Sequence, residues 1–198
     1  LLKFYTCKPL PKMDCSKGIT EDNATMVVIP TIVKDVNKID KMFELLEKYY
    51  LANKSNNLYF SLLGDCAEAN TLVTSYDEIV ANYGIKVAEE LNEKYNEQIF
   101  SFVYRRRAFN EGEGKYLGYE RKRGALIHFN KLLLGNMTQK DKEKYIYCET
   151  ISELKEKIKY VITLDADTEL ILGAASKLVG LMAHPLNKPI LNKNKTKV

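Results

Sequence analysis

Apolar residues along this chain follow two rhythms. Nearly unbroken apolar runs, rich in β-branched and aromatic residues, occupy positions 26–33, 58–63, 98–104 and 160–164. Runs of this length between polar or Gly/Pro punctuation predict strands covered on both faces, as in a parallel sheet. The first is expected to stop at Pro30, which has no N–H for a ladder. Helical spacing appears between the runs: Val36, Ile39, Met42, Phe43, Leu46 and Tyr50 across 35–51, then Ile79, Tyr83, Val87, Leu91 and Tyr95 across 76–95. Further helices are predicted at about 119–134 and over 173–183, the last closing at His184-Pro185. Gly84 interrupts the second helix at a cost of about 1 kcal/mol against alanine. Four strand–helix alternations predict an α/β fold in three layers, a mostly parallel sheet flanked by helices. Residues 1–24 read as an irregular leader, 25–190 as the folded part and 191–198 as a polar tail; 136–158 is polar and lysine-rich around a short strand at 145–148.

A sheet of this kind gathers its strand ends on one edge, where open α/β sheets bind their ligands. Thr31, Asp65, Arg105 to Arg107 and the pair Asp165 and Asp167 are expected to converge there. The two aspartates close the last apolar run one residue apart, so on a strand they would point the same way. Two carboxylates on a rigid strand end suit a hard divalent cation that leaves its other positions to waters and phosphates. The alternative is that both merely cap the turn or helix that follows.

Composition adds a second clue. The 198 residues suffice for one domain with a proper core, and a net charge of +4 does not call for nucleic acid. All five arginines nevertheless fall between Arg105 and Arg123. That clustering points to oxyanion recognition, since the guanidinium fork grips phosphate or carboxylate with two bonds. Cys7, Cys15, Cys66 and Cys148 lack metal-ligand spacing and read as reduced thiols. No run reaches the ~18 apolar residues of a membrane span, and no G-x-G-x-x-G follows the first strand.

Three stretches resemble a known family: Tyr49-Tyr-Leu-Ala-Asn53; Arg106-Arg-Ala-Phe-Asn110 through Glu120-Arg-Lys-Arg-Gly124 with Phe129-Asn130; and Val161-Ile-Thr-Leu-Asp165-Ala-Asp167-Thr168 running on to Pro189. Together they are similar to the glycosyltransferase domain of cyclic β-1,2-glucan synthases, on the plan of the GT-A nucleotide-sugar transferases. The likeness covers roughly residues 25–190. It implies a truncated GT-A-like domain, the donor-binding part of an enzyme that transfers glucose from UDP-glucose to a glucan acceptor. By the same resemblance Asp165 and Asp167 hold Mg²⁺ or Mn²⁺ on the diphosphate. Thr31, Asp65, Arg107, Lys122, Arg123 and Asn130 contact the nucleotide-sugar, although Asn130 stands one helical turn beyond the usual spacing. It further implies a membrane-embedded parent with this domain on the cytoplasmic face. The catalytic base and the acceptor-binding segment lie past the D-x-D strand, so the isolated piece is expected to be inactive.

Two other readings compete on the residues alone. Haloacid dehalogenase-type phosphatases also use Asp-x-Asp, but with Thr or Val where Glu169 stands, and on the first strand of the chain. A non-enzymatic RNA- or anion-binding module would use the arginines with Tyr104, Phe109, Tyr116 and Tyr119 as stacking platforms. A calcium loop fails, since Leu170 and Ser176 stand where Gly and Glu are needed.

Overall fold

The computed structural model describes residues 9–188 and residue 190. Strands β1 (Thr25–Val33), β2 (Leu58–Cys66), β3 (Phe100–Arg105), β6 (Ile146–Glu149) and β7 (Tyr160–Thr163) form one sheet in the order β6-β3-β2-β1-β7. All neighbours are parallel except β6, which runs antiparallel to β3. Helices α1 (Val36–Asn53), α2 (Ser75–Tyr95) and α5 (Ala174–Ala183) cover one face, packing around Val27, Ile29, Phe60, Leu62 and Phe102. Helix α3 (Arg121–Leu133) covers the other, where Met26, Val28, Leu63 and Val103 meet Phe129, Leu132 and Leu133. Burial on both faces is why the inner strands lack polar alternation. The fold is the expected three-layer, GT-A-like α/β arrangement. No described helix is long and apolar enough to cross a membrane.

Several elements differ from expectation. Strand β1 continues through Pro30 to Val33. Its even-numbered residues turn their backbone groups toward β7, as Val28 shows by accepting from Leu164 N–H at 3.0 Å. The β1–β7 ladder ends at Val28 and Thr163, so the missing N–H of Pro30 falls where β1 has no neighbour. Strand β7 is a four-residue edge strand, half-buried with Tyr160 and Ile162 against one core and Val161 against the other, and Asp165 and Asp167 follow it in an exposed turn. Strand alternation therefore does not set their direction. Neither caps α5, whose N-cap is Gly173.

The glycine-containing stretch after β3 is a hairpin of β4 (Arg107–Asn110) and β5 (Lys115–Gly118), and a short helix α4 (Gln139–Tyr145) precedes β6. Residues 9–24 run irregularly, with a single 3-10 turn at Glu21–Asn23; Met13 N–H donates to Gly180 of α5 at 2.9 Å. The predicted tail, residues 191–198, lies outside the described residues, as does Cys7. Cys15, Cys66 and Cys148 are free thiols.

Helix α2 packs its large residues Tyr83, Val87, Leu91 and Tyr95 half-buried against the core, beside a fully buried line of mostly small ones. Val80, Ala81, Gly84, Ala88 and Asn92 are buried, while Ile79 is exposed. Small residues let the helix approach β3 closely, and the bulky ones lean toward α1, where Tyr83 donates to Asp40 at 2.7 Å and Tyr95 to Glu47 at 2.6 Å. Asn92 then acts as a substitute strand edge, accepting from the N–H groups of Ile99 and Phe100 at 2.9 and 2.7 Å. Gly84 is there for space: a Cβ would lie 2.2 Å from the Phe102 ring. Gly84→Ala is therefore expected to destabilise by about 1–3 kcal/mol through overpacking, despite the better helix propensity of alanine. Urea unfolding of the two proteins checks this; equal midpoints would refute it.

Candidate functional site: a cleft at the sheet edge

The chain passes from β1 to β2 to β3 in one direction and then returns to the opposite side of β1 as β7. Strand order reverses at β1, and open α/β sheets leave a crevice at such a point. A cleft of about 670 Å³ lies at the carboxyl ends of β1 and β2, lined by Pro30, Thr31, Ile32, Asp65, Gly118 and Lys122 among others. Lys122, on the first turn of α3, makes an ion pair with Asp165 beyond β7. The basic helix start and the first aspartate thus come together at the cleft. Asp167 is exposed and makes no ion pair among the described residues.

These donors bear on the cation that the resemblance implies. Among the described residues no three His, Cys, Asp or Glu side chains cluster as a ready metal cage. Asp165, tied to the cleft through Lys122, and the exposed Asp167 offer carboxylate oxygens of the kind a hard cation such as Mg²⁺ or Mn²⁺ would take, with waters and phosphate oxygens as its other ligands.

Beneath the cleft lies a buried ion pair. Arg105, at the end of β3, is fully buried and donates from Nε and Nη2 to the two oxygens of Asp65 on β2, at 2.6 and 2.8 Å. Its remaining N–H groups reach His128 Nδ1 at 2.9 Å and the carbonyls of Tyr119 and Arg121 at 3.3 and 3.1 Å. Burial pushes the Asp65 carboxyl up, and the hydrogen bonds from Arg105 oppose it. Burial, then the charges of Arg105 and Lys131, press His128 down to about 4, so it is neutral at pH 7 and Nδ1 accepts from the guanidinium. The pair is packed to contact: a Cβ on Gly118 would stand 2.3 Å from Asp65 Oδ2.

The predicted site residues divide accordingly. Thr31, Asp65 and Lys122 line the cleft. Asp65 does so with both oxygens engaged by Arg105. Arg107 is not brought there. It is buried against Asp77 through Nη1 and Nη2, at 2.6 and 2.9 Å, and its Nε donates to the Ala67 carbonyl. Arg123 is exposed and pairs with Glu120 at 2.6 Å, and Asn130 is exposed two turns along α3, away from the cleft. The other arginines are also engaged: Arg121 with Glu113 at 2.6 Å, and Arg106 with the Ile146 carbonyl at 2.9 Å and the Tyr147 ring at 4.5 Å. Arg105, Arg106 and Arg107 are turned inward and hold this edge together, whereas Arg121, in an exposed pair with Glu113, lines the cleft.

No family model matches the chain. Over 178 residues, 88% of its length, it is 36% identical to the cyclic beta-(1,2)-glucan synthase NdvB of Rhizobium meliloti (strain 1021). The chain belongs to the cyclic β-1,2-glucan synthase family. It spans about 6% of the length of that relative.

Within this family member, residues that the site reading had not singled out anchor the segment carrying the aspartates. Tyr49 donates its hydroxyl to the Thr168 carbonyl at 2.6 Å, Asn53 Oδ1 accepts from Ala175 N–H at 3.0 Å, and the Ala52 carbonyl accepts from Gly173 N–H at 3.1 Å. The signal was present in Tyr49-Tyr-Leu-Ala-Asn53, a stretch that marked the family likeness without a role attached to it.

Two outcomes follow from the buried network. Arg105→Leu strands Asp65 as a buried, unpaired charge and is expected to cost about 3–5 kcal/mol in urea unfolding; a cost no larger than that of an exposed substitution would refute the network. His128 has a folded pKa below its unfolded value of 6.5. The unfolded chain therefore takes up a proton first, and stability present above pH 6.5 is lost as pH falls toward about 4. His128→Asn, which keeps an acceptor for Arg105, is expected to flatten that decline by on the order of 2–3 kcal/mol. Unfolding midpoints from pH 7.5 to 4 give the comparison.

Proposed function

We propose that this chain binds a nucleotide-diphosphate sugar, UDP-glucose, in the cleft at the ends of β1 and β2, as the donor side of a glycosyltransferase building β-1,2-glucan. The observation that carries the proposal is the meeting of Lys122 with Asp165 at this cleft, in a chain related to a glucan synthase. Asp165 and Asp167 would hold Mg²⁺ or Mn²⁺, which supplies charge neutralisation to a departing diphosphate. Lys122 is half exposed, so its ion pair is cheap to break, and the ammonium is free to move from Asp165 to a phosphate oxygen. The amino end of α3, with its unpaired N–H groups and positive dipole end, favours negative charge at the same place. Thr31 offers a hydroxyl at the cleft wall, and Asp65 keeps that wall in shape through Arg105. In a longer, membrane-bound enzyme this part would face the cytoplasm, and the acceptor glucan would be held with the help of other segments.

Calorimetry with UDP, in Mn²⁺ and in EDTA, tests the proposal. Binding is expected to require the metal, to disappear in Asp167→Ala and to weaken in Lys122→Ala. Equal affinity in EDTA, or no binding in either condition, would overturn it.

A further inference from the structure

A second hollow, of about 520 Å³, lies on the other side of the β4–β5 hairpin and shares only Cys66 with the lining of the cleft. The hairpin is the wall between the two: Leu117 and Gly118 line the donor cleft, Phe109 and Tyr116 the hollow. Opposite stand Tyr119, Tyr145 and Tyr147. These five rings are organised, with Phe109 and Tyr116 centroids 5.1 Å apart and Tyr119 and Tyr145 5.4 Å apart. Tyr147 also packs against the core, Tyr116 and Tyr145 are half-buried, and the other two rings stand at the surface. Phe109, the cross-strand partner of Tyr116, is 55% exposed, and Tyr119, stacked on His128 at 6.1 Å, is 44% exposed, so each leaves much of its ring to solvent.

The charges around the hollow narrow what it takes. Arg107 at its base is neutralised by Asp77, and Arg106 is spent on the Tyr147 ring and the Ile146 carbonyl. Glu143 and Lys144 on the rim have opposite signs. A polyanion such as RNA therefore finds flat rings but no band of free cations, whereas it needs both. A neutral ligand with a flat apolar face and a hydroxylated edge suits rings that are mostly tyrosine, apolar in the body and polar at the tip.

We propose that this hollow binds a neutral gluco-oligosaccharide, with pyranose faces stacked on Phe109, Tyr116 and Tyr119, one hairpin away from the donor cleft. The assignment rests on the reading of the chain as part of a glucan-making enzyme, and its location is independent of the metal and nucleotide residues. Growing glucan held here would lie beside the site of donor binding without competing for it.

NMR titration of the chain with β-1,2-linked glucose disaccharide and trisaccharide tests it, with UDP and Mn²⁺ binding measured on the same samples. Shifts are expected at Phe109, Tyr116 and Tyr119, with affinity lowered about tenfold in Phe109→Ala. Tyr116→Leu, which keeps bulk and loses the flat face, is expected to weaken sugar binding similarly while UDP binding stays unchanged. If UDP binds but neither sugar does, the hollow is not a sugar site and the donor reading stands. Sugar binding that fails to respond to both variants would also overturn the assignment, as would a single-stranded oligonucleotide shifting these residues where the sugars do not. Sugar binding that responds to the variants, in a chain that binds no UDP, would leave the hollow assigned and remove the donor reading.

Discussion

The buried guanidinium of Arg105 fixes the edge of this domain at the carboxyl ends of β2 and β3. It joins the end of β3 to the end of β2 through Asp65, and both to the start of α3 through the carbonyls of Tyr119 and Arg121. A buried ion pair gains little over apolar packing unless every remaining polar group is satisfied. Here the unused N–H groups find carbonyls and a neutral histidine. The backbone bends to provide them. Glu120 and Arg121 are consecutive non-glycine residues at φ 51° and 48°, a conformation that costs energy and persists only where surroundings over-determine it. Arg105 is what over-determines it, since the bend aims two carbonyls at one cation.

That geometry reaches the surface in short steps. Lys122 follows directly on the bend, so its position at the cleft mouth derives from a residue with no exposure at all. From the other side, α1 secures the loop after Asp167 through Tyr49 and Asn53. The exposed Lys122–Asp165 pair contributes little stability of its own. It marks where two rigidly supported parts face each other, and its weakness leaves both charged groups available to a ligand.

How far the sequence revealed this depended on range. Local patterns showed α1, the inner strands and the α5 helix, because apolar period and punctuation lie within a dozen residues. They also showed that Asp165 and Asp167 would emerge at the sheet edge. The inward turn of two arginines was not legible because their partners are distant in sequence: Asp65 lies 40 positions from Arg105, and Asp77 lies 30 from Arg107. Nothing local distinguishes an arginine clamped in a core from one offered to a phosphate. The β4–β5 hairpin was hidden because Glu111-Gly-Glu-Gly114 reads as loop and its flanking residues are mixed in polarity. In α2 the large residues Tyr83, Val87, Leu91 and Tyr95 do pack against the core, but the fully buried line beside them was not legible, since close approach to β3 selects for small side chains.

Pro30 has an effect well beyond its own ring. Two parallel neighbours tend to zip together for as long as both can exchange hydrogen bonds, and β1 runs on for five residues after its last pairing with β7 at Val28. A residue with an N–H at position 30 would offer β7 another rung, drawing the aspartate turn up against β1. The proline withholds it, and the two strands diverge like the arms of a fork. The last five residues of β1, which carry Thr31 to the cleft wall, are thus left without a strand on their β7 side for want of a single hydrogen atom.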